Sequence, residues 1–106
     1  MKFVVLITAK LIVEIAKAIY QTKDKIRYNT LLDYVFRFKS QAVIKRLGFL
    51  LETLNIETTI IEKLHALRKA SYVVLDTELP AKGKLISRWQ IQLNMDVETI
   101  KSAIYS

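Results

Sequence analysis

A glycine in the middle of an otherwise well-formed helical stretch constrains this chain more than any other feature. In the run from Ser40 to Ile56, Val43, Leu47, Leu50, Leu51 and Leu54 recur at steps of three and four residues and line one helix face. Lys45, Arg46, Glu52 and Thr53 largely face away from that stripe. Ser40 has the side chain of an N-cap and Asn55 that of a C-terminal stop. Gly48 breaks the pattern, because a glycine inside a helix costs on the order of 1 kcal/mol against alanine and returns no packing. Such a cost is compensated when a bulky side chain or a second backbone approaches over the missing Cβ. This places the helix at the centre of a packed domain; close approach of a ligand is the alternative.

The 106 residues suffice for one domain with a single core. Only two glycines and one proline punctuate a sequence that is 52% apolar, so a mainly helical fold with few long loops is expected. Cysteine is absent, which excludes disulfides and thiolate metal sites and agrees with a reducing compartment. Residues 1–9 resemble the start of a signal peptide, but Lys10, Glu14 and Lys17 interrupt the apolar run before the roughly 18 residues that a membrane helix needs. The expectation is a soluble, cytoplasmic protein with no membrane partner.

Flanking elements follow from periodicity. Lys10, Glu14, Lys17 and Gln21 form a narrow polar stripe on an otherwise apolar helix from about Ile7 to Gln21, and Phe3–Leu6 is either its first turn or a short strand. Asn29 or Thr30 caps a second helix to about Phe38, with Leu31, Leu32, Val35, Phe36 and Phe38 directed to the core. Its short joint to the central helix predicts that the two pack together, steeply or antiparallel. Thr59 with Glu62 reads as a capping box opening a helix to about Ala70, and His65 sits at the edge of its buried stripe as a packing residue. Asp96 caps a last helix to Tyr105 through Val97, Ile100 and Ile104.

Between these helices the period changes to two. Tyr72–Asp76 is β-branched, and Ile86–Asn94 alternates so that Trp89, Ile91 and Leu93 share one side while Arg88, Gln90 and Gln92 share the other. A hairpin with a long loop, 77–84, is expected, its apolar face lying on the helices or on a third strand from Phe3–Leu6. The fold class is α+β, mainly α: four or five helices with a C-terminal β-hairpin packed on them.

The residue types of most active sites are missing. One histidine and no cysteine cannot build a Cys–His pair or a histidine-based zinc site, and Gly48 and Gly83 lie too far apart for a phosphate-binding glycine loop. Asp76 and Glu78 are paired carboxylates at a strand end, where an aspartate commonly anchors a turn on backbone N–H groups. No enzyme, cofactor or metal is expected. What remains is charge: 17 basic against 10 acidic side chains give +7, which suits nucleic acid or an acidic protein face. Arg37, Lys39, Lys45 and Arg46 fall in one stretch without carboxylates, and Lys82, Lys84 and Arg88 in another. Lys63, Arg68 and Lys69 make a third group. With Lys45 and Arg46 on the solvent side of the central helix and Lys82 and Lys84 at a loop tip, a polyanion could touch both. A basic face that only keeps the protein soluble is the plain alternative.

The run Ala42-Val43-Ile44-Lys45-Arg46-Leu47-Gly48-Phe49-Leu50-Leu51-Glu52, followed in order by Tyr72–Asp76, Pro80, Gly83, Ser87-Arg88-Trp89 and Asn94, resembles the C-terminal domain of AbiEi-type antitoxins. Those proteins belong to type IV toxin–antitoxin and abortive-infection systems, and the resemblance covers roughly Val13 to the end. It implies a non-enzymatic module that opposes a nucleotidyltransferase toxin of AbiEii type acting on tRNA, or that contributes to transcriptional repression. Lys45, Arg46, Arg88 and Trp89 match the family's basic pair and its Arg-Trp, as structural anchors or as binding residues, and Gly48, Asp76, Pro80, Gly83 and Asn94 complete the motif. The family's N-terminal winged helix has no counterpart here, and Thr77 stands where the family generally has proline. The resemblance implies as partners the toxin, DNA or tRNA. The residues alone leave open a structural protein that forms a homodimer through its hairpin edge or first helix.

Overall fold

The Gly48 stretch forms a helix over Gln41–Thr53, and the rest of the protein is packed around it. The computed structural model describes residues 12–105. Among them the elements are α1 (Ile12–Thr22), α2 (Tyr28–Phe38), α3 (Gln41–Thr53), α4 (Ile60–Leu67), β1 (Val73–Val74), β2 (Lys84–Ile86), β3 (Ile91–Leu93) and α5 (Val97–Ile104). The fold is α+β and mainly α: five helices and a small three-stranded sheet. No helix among the described residues is long and apolar enough to cross a membrane.

Both ends of α3 are sealed as its sequence predicts. Ser40 Oγ accepts from the Val43 N–H, satisfying one of the first-turn donors. Asn55 takes the left-handed conformation with φ of 56°, and the N–H groups of Asn55 and Ile56 return to the carbonyls of Glu52 and Leu51. That pair of bonds is a Schellman closure. Between the caps Leu50 and Leu51 have no exposed surface, and Ile44, Leu47 and Phe49 are also buried. The helix is enclosed on more than one side because α4 packs along it and β3 crosses it. Its partners include Ile60 and Leu64 of α4 and Ile91 of β3, all fully buried.

Gly48 lies under Trp89. A Cβ added to Gly48 would stand 2.1 Å from Trp89 Cζ3 and 2.2 Å from Cη2, so the six-membered part of the indole occupies the place an alanine methyl would take. The ring is held there from three directions. Its Nε1 donates to Glu52 Oε1 at 2.8 Å, one helical turn beyond Gly48. His65 of α4 meets it edge-on with centroids 5.4 Å apart, the packing role anticipated for that histidine. The Arg88 guanidinium lies 5.4 Å from the ring centroid.

The sheet departs from the expected hairpin. Tyr72–Asp76 does not pair antiparallel with Ile86–Asn94 across a long loop. β2 and β3 make the hairpin, with Ile86 opposite Ile91, and β1 runs parallel to β3 on its other side, giving the order β1-β3-β2. The alternation through 87–90 signalled a strand, but these four residues are the hairpin loop, closed by Gln90 N–H to Ser87 O at 3.3 Å with Gln90 at φ of 53°. The turn aims Trp89 at Gly48, a position a straight strand would not have reached. The third strand is thus β1, and Phe3–Leu6 lies outside the described residues, as do residues 1–9 as a whole.

Three local expectations are corrected. Phe36 and Phe38 are 57% and 46% exposed, because α2 presents Leu31 and Val35 to the core and leans on α4 rather than on α3. The left-handed Lys39 (φ 56°) turns the chain between α2 and α3. No capping box forms at Thr59: Thr58 Oγ1 accepts from the Ile60 N–H, and Glu62 is engaged by Arg88. α4 also ends at Leu67, where Gln41 takes both polar groups of the break, donating to Leu67 O at 3.1 Å and accepting from Lys69 N–H at 2.7 Å. At the chain's other end Asp96 caps α5 as anticipated, accepting from Glu98 N–H at 3.0 Å, and α5 packs on α1 through Ile100 and an edge contact of Tyr105 with Tyr20.

The Gly48–Trp89 contact predicts that Gly48→Ala destabilises the protein by about 2 kcal/mol or more although alanine is the better helix former. Trp89→Leu alone is also destabilising, but the double variant should be more stable than the sum of the two losses. Urea unfolding of the four proteins checks this; additive losses would contradict the contact.

Candidate interaction surface

The basic residues expected to form one face are distributed over four environments. Lys45 has no exposed surface. Its ammonium donates to the carbonyl oxygen of Ser71 and, at 3.1 Å, to Ser71 Oγ. Arg46 is half-buried and places Nε and Nη2 at 3.0 and 2.8 Å from the carbonyl oxygen of Val74. Burial lowers the affinity of both side chains for their protons; nearby Arg68 lowers that of Lys45 further, whereas Asp76 acts the other way on Arg46. The reading of these two residues as a solvent-side pair is therefore corrected. The segment 71–75 closes over the flank of α3 that the apolar stripe leaves polar, and the two cations tie that segment down by its backbone. Charge reversal there would test the packing of β1, not a binding face.

Arg88 is likewise engaged. Its Nε lies 2.8 Å from both Glu52 oxygens, and Nη2 reaches Glu52 Oε2 at 2.6 Å and Glu62 Oε1 at 3.1 Å. The sequence stretch around Arg88 has no carboxylate, but α3 and α4 supply two. Glu52 is thus the shared acceptor of Arg88 and Trp89; those hydrogen bonds outweigh its partial burial and hold its carboxyl below the usual range, while the same bonds raise Arg88 above its ordinary value.

Arg37 is exposed and paired with Asp33 one turn back at 3.3 Å, an ion pair of small energetic consequence. Lys39 is exposed at the end of the same helix. That leaves Lys82 and Lys84. Both are exposed, and neither belongs to an ion pair among the described residues. Compared with known proteins, the chain matches no family model, no curated sequence and no solved structure.

The loop that carries the two lysines is fixed by the motif residues. Asn94 Oδ1 accepts from Asp76 N–H at 2.9 Å, while its Nδ2 donates to Asp76 O at 2.8 Å, Pro80 O at 3.1 Å and Leu79 O at 3.3 Å. Asp76 is buried and its Oδ1 accepts from Glu78 N–H at 2.8 Å, the turn-anchoring role its position suggested. Gly83 has φ of 116°, and a Cβ there would lie 2.2 Å from Leu93 O, so the loop can re-enter β2 only through a glycine. Asn94, Asp76, Pro80 and Gly83 therefore act together as one scaffold.

This scaffold presents more than charge. Leu79 is 39% exposed and Leu85 is 55% exposed, on either side of Lys82 and Lys84, and β2 is an edge strand whose outer side is unpaired within the sheet. Sequence reasoning missed these two leucines. Their exposure depends on the loop's return path, which the hydrogen bonds of Asn94 set and no local pattern encodes.

The shared acceptor at Glu52 has a pH signature. A carboxyl whose folded pKa lies below its unfolded value stabilises the fold above the ordinary carboxylate range and loses that contribution as pH falls through the folded value. Glu52→Gln should therefore unfold at a lower temperature than the parent near neutral pH. The difference should shrink as pH drops below about 4.5. Thermal unfolding from pH 7 to acid reads this, and a difference constant with pH would remove Glu52 from the account.

Proposed function

We propose that this chain is a non-enzymatic, antitoxin-like binding domain acting in the cytoplasm, and that it engages its partner through the 77–85 loop and the edge of β2. The observation that supports this most is the combination on that loop of two exposed lysines, in no ion pair among the described residues, with two exposed leucines, on a backbone held by Asn94 and Gly83. A loop fixed before binding loses little conformational entropy on contact. Exposed apolar residues beside cations fit a protein face with an apolar centre and an acidic rim better than they fit a duplex, where phosphate contacts dominate. The resemblance to AbiEi-type C-terminal domains makes a nucleotidyltransferase toxin that partner, with DNA or tRNA as the competing ligand.

A second reading has its own support. Phe36 stands exposed on α2 in a groove it lines with Leu32, Lys63 and Leu67, while exposed Phe38 stacks on Tyr34, and exposed aromatics of this kind suit a self-associating protein. Sedimentation of the parent and of Phe36→Glu separates this reading from the first.

For the leading proposal, the double variant Lys82→Glu/Lys84→Glu should keep its unfolding free energy within about 0.5 kcal/mol of the parent, since neither side chain is packed. It should bind an AbiEii-type nucleotidyltransferase at least roughly tenfold more weakly, a loss of about 1.4 kcal/mol. Titrations of both proteins with the toxin, tRNA and duplex DNA across a salt series give the readout. Toxin binding unaffected by the double reversal would overturn the assignment of the loop.

A further inference from the structure

Two features of the seam between α3 and the segment after α4 leave positive charge without a counter-charge among the described residues. The Lys45 ammonium is fully buried, yet the groups it donates to are a carbonyl and a hydroxyl of Ser71, both neutral. Buried charges are ordinarily matched by an opposite charge. Arg68, close enough to disfavour the protonated form of Lys45, adds to the positive field there. Its Nη1 donates to Gln90 Oε1 at 2.8 Å, while its Nε is buried and has no hydrogen-bond partner among the described residues. The ion pairs among the described residues are Arg37–Asp33, Arg88–Glu52 and Arg88–Glu62, so neither Lys45 nor Arg68 belongs to one.

The surroundings open this seam to solvent. Ser71 is exposed, and exposed Lys69 stands one residue beyond Arg68. Ser71 Oγ accepts from Lys45, which leaves the hydroxyl hydrogen free to be donated outward. The Arg68 guanidinium with its unpartnered N–H, the exposed Ser71 hydroxyl over the Lys45 ammonium, and Lys69 on the same segment are donors of the types that a small anion with several acceptor oxygens takes. A carboxylate offers two oxygens and one charge. A phosphate offers more of each, which suits the accumulated positive charge.

We propose that Arg68, Lys69 and Ser71, backed by the buried Lys45, form a binding site for an oxyanion of the phosphate class. The site is distinct from the Lys82–Lys84 loop: it lies at the α4–β1 junction, whereas that loop joins β1 to β2. Bound anion neutralises the excess charge of the seam and stabilises β1 against α3, so ligation and folding are linked.

The test is thermal unfolding in inorganic phosphate against sodium chloride at equal ionic strength. The melting temperature should rise saturably by about 5 °C with phosphate well above its dissociation constant. Arg68→Gln should abolish the rise, and Lys82→Glu/Lys84→Glu should retain it, which separates this site from the proposed binding loop. Lys45→Met should fold in chloride without a phosphate response; if it fails to fold, broadening of the phosphorus resonance of inorganic phosphate by the parent and not by Arg68→Gln reads the same point. Displacement of the phosphate by a short single-stranded oligonucleotide would identify a nucleic-acid backbone as the source of the anion, and resistance to it a small free phosphate; both uphold the site. No phosphate effect beyond that of chloride, or an equal effect in Arg68→Gln, overturns it.

Discussion

The contact of the Trp89 indole with the bare backbone of Gly48 is the constraint on which the rest depends. It sets how closely the β2–β3 turn can approach α3, and with it the position of the sheet. The indole N–H then selects Glu52, Glu52 gathers Arg88, and Arg88 reaches Glu62 on α4. One aromatic side chain thereby links α3, α4 and the hairpin. The glycine's helix-propensity cost, about 1 kcal/mol, is small against the several kcal/mol that burial of a tryptophan contributes.

The same packing decides what the basic surplus can do. Of the cations that a one-dimensional reading groups together, Lys45 and Arg46 hold backbone carbonyls of the 71–75 segment and Arg88 is held by two glutamates. They fix the sheet to the helices. Of the same cations, Lys82 and Lys84 on the 77–84 loop and Arg37 and Lys39 at the end of α2 remain exposed. A net charge of +7 is therefore a statement about the protein's long-range field, and only part of it is carried by side chains that packing leaves exposed.

What the sequence made legible follows from the range of the interaction involved. The caps at Ser40, Asn55 and Asp96 are local hydrogen bonds between residues two to five positions apart, and each stands where the sequence signalled it. The need for a bulky group over Gly48 was readable as well, because a buried helical glycine requires compensation, although the sequence did not name Trp89 as the group. The failures are non-local. The alternation through Ser87–Gln90 is compatible with strand and turn alike, and only the pull of Trp89 toward Gly48 selects the turn. Glu62 has the spacing of a capping partner for Thr59, yet Arg88 offers it a charged partner. Lys45 and Arg46 looked solvent-facing because their acceptors are main-chain carbonyls more than 25 residues away, to which side-chain patterning is blind. Phe36 and Phe38 have core-forming side chains, whereas the helix turns Leu31 and Val35 inward.

The central claim is that hairpin and helices form one cooperative unit through Trp89. The protein's single tryptophan is that residue, so its fluorescence reports the hairpin-to-helix contact while far-UV circular dichroism reports the helices. The most direct measurement is urea unfolding followed by both signals in the same samples. The native emission should be blue-shifted and the two transitions coincident. Loss of the tryptophan signal at lower urea than the helical signal would show a hairpin that detaches from an intact helical core, and would contradict it.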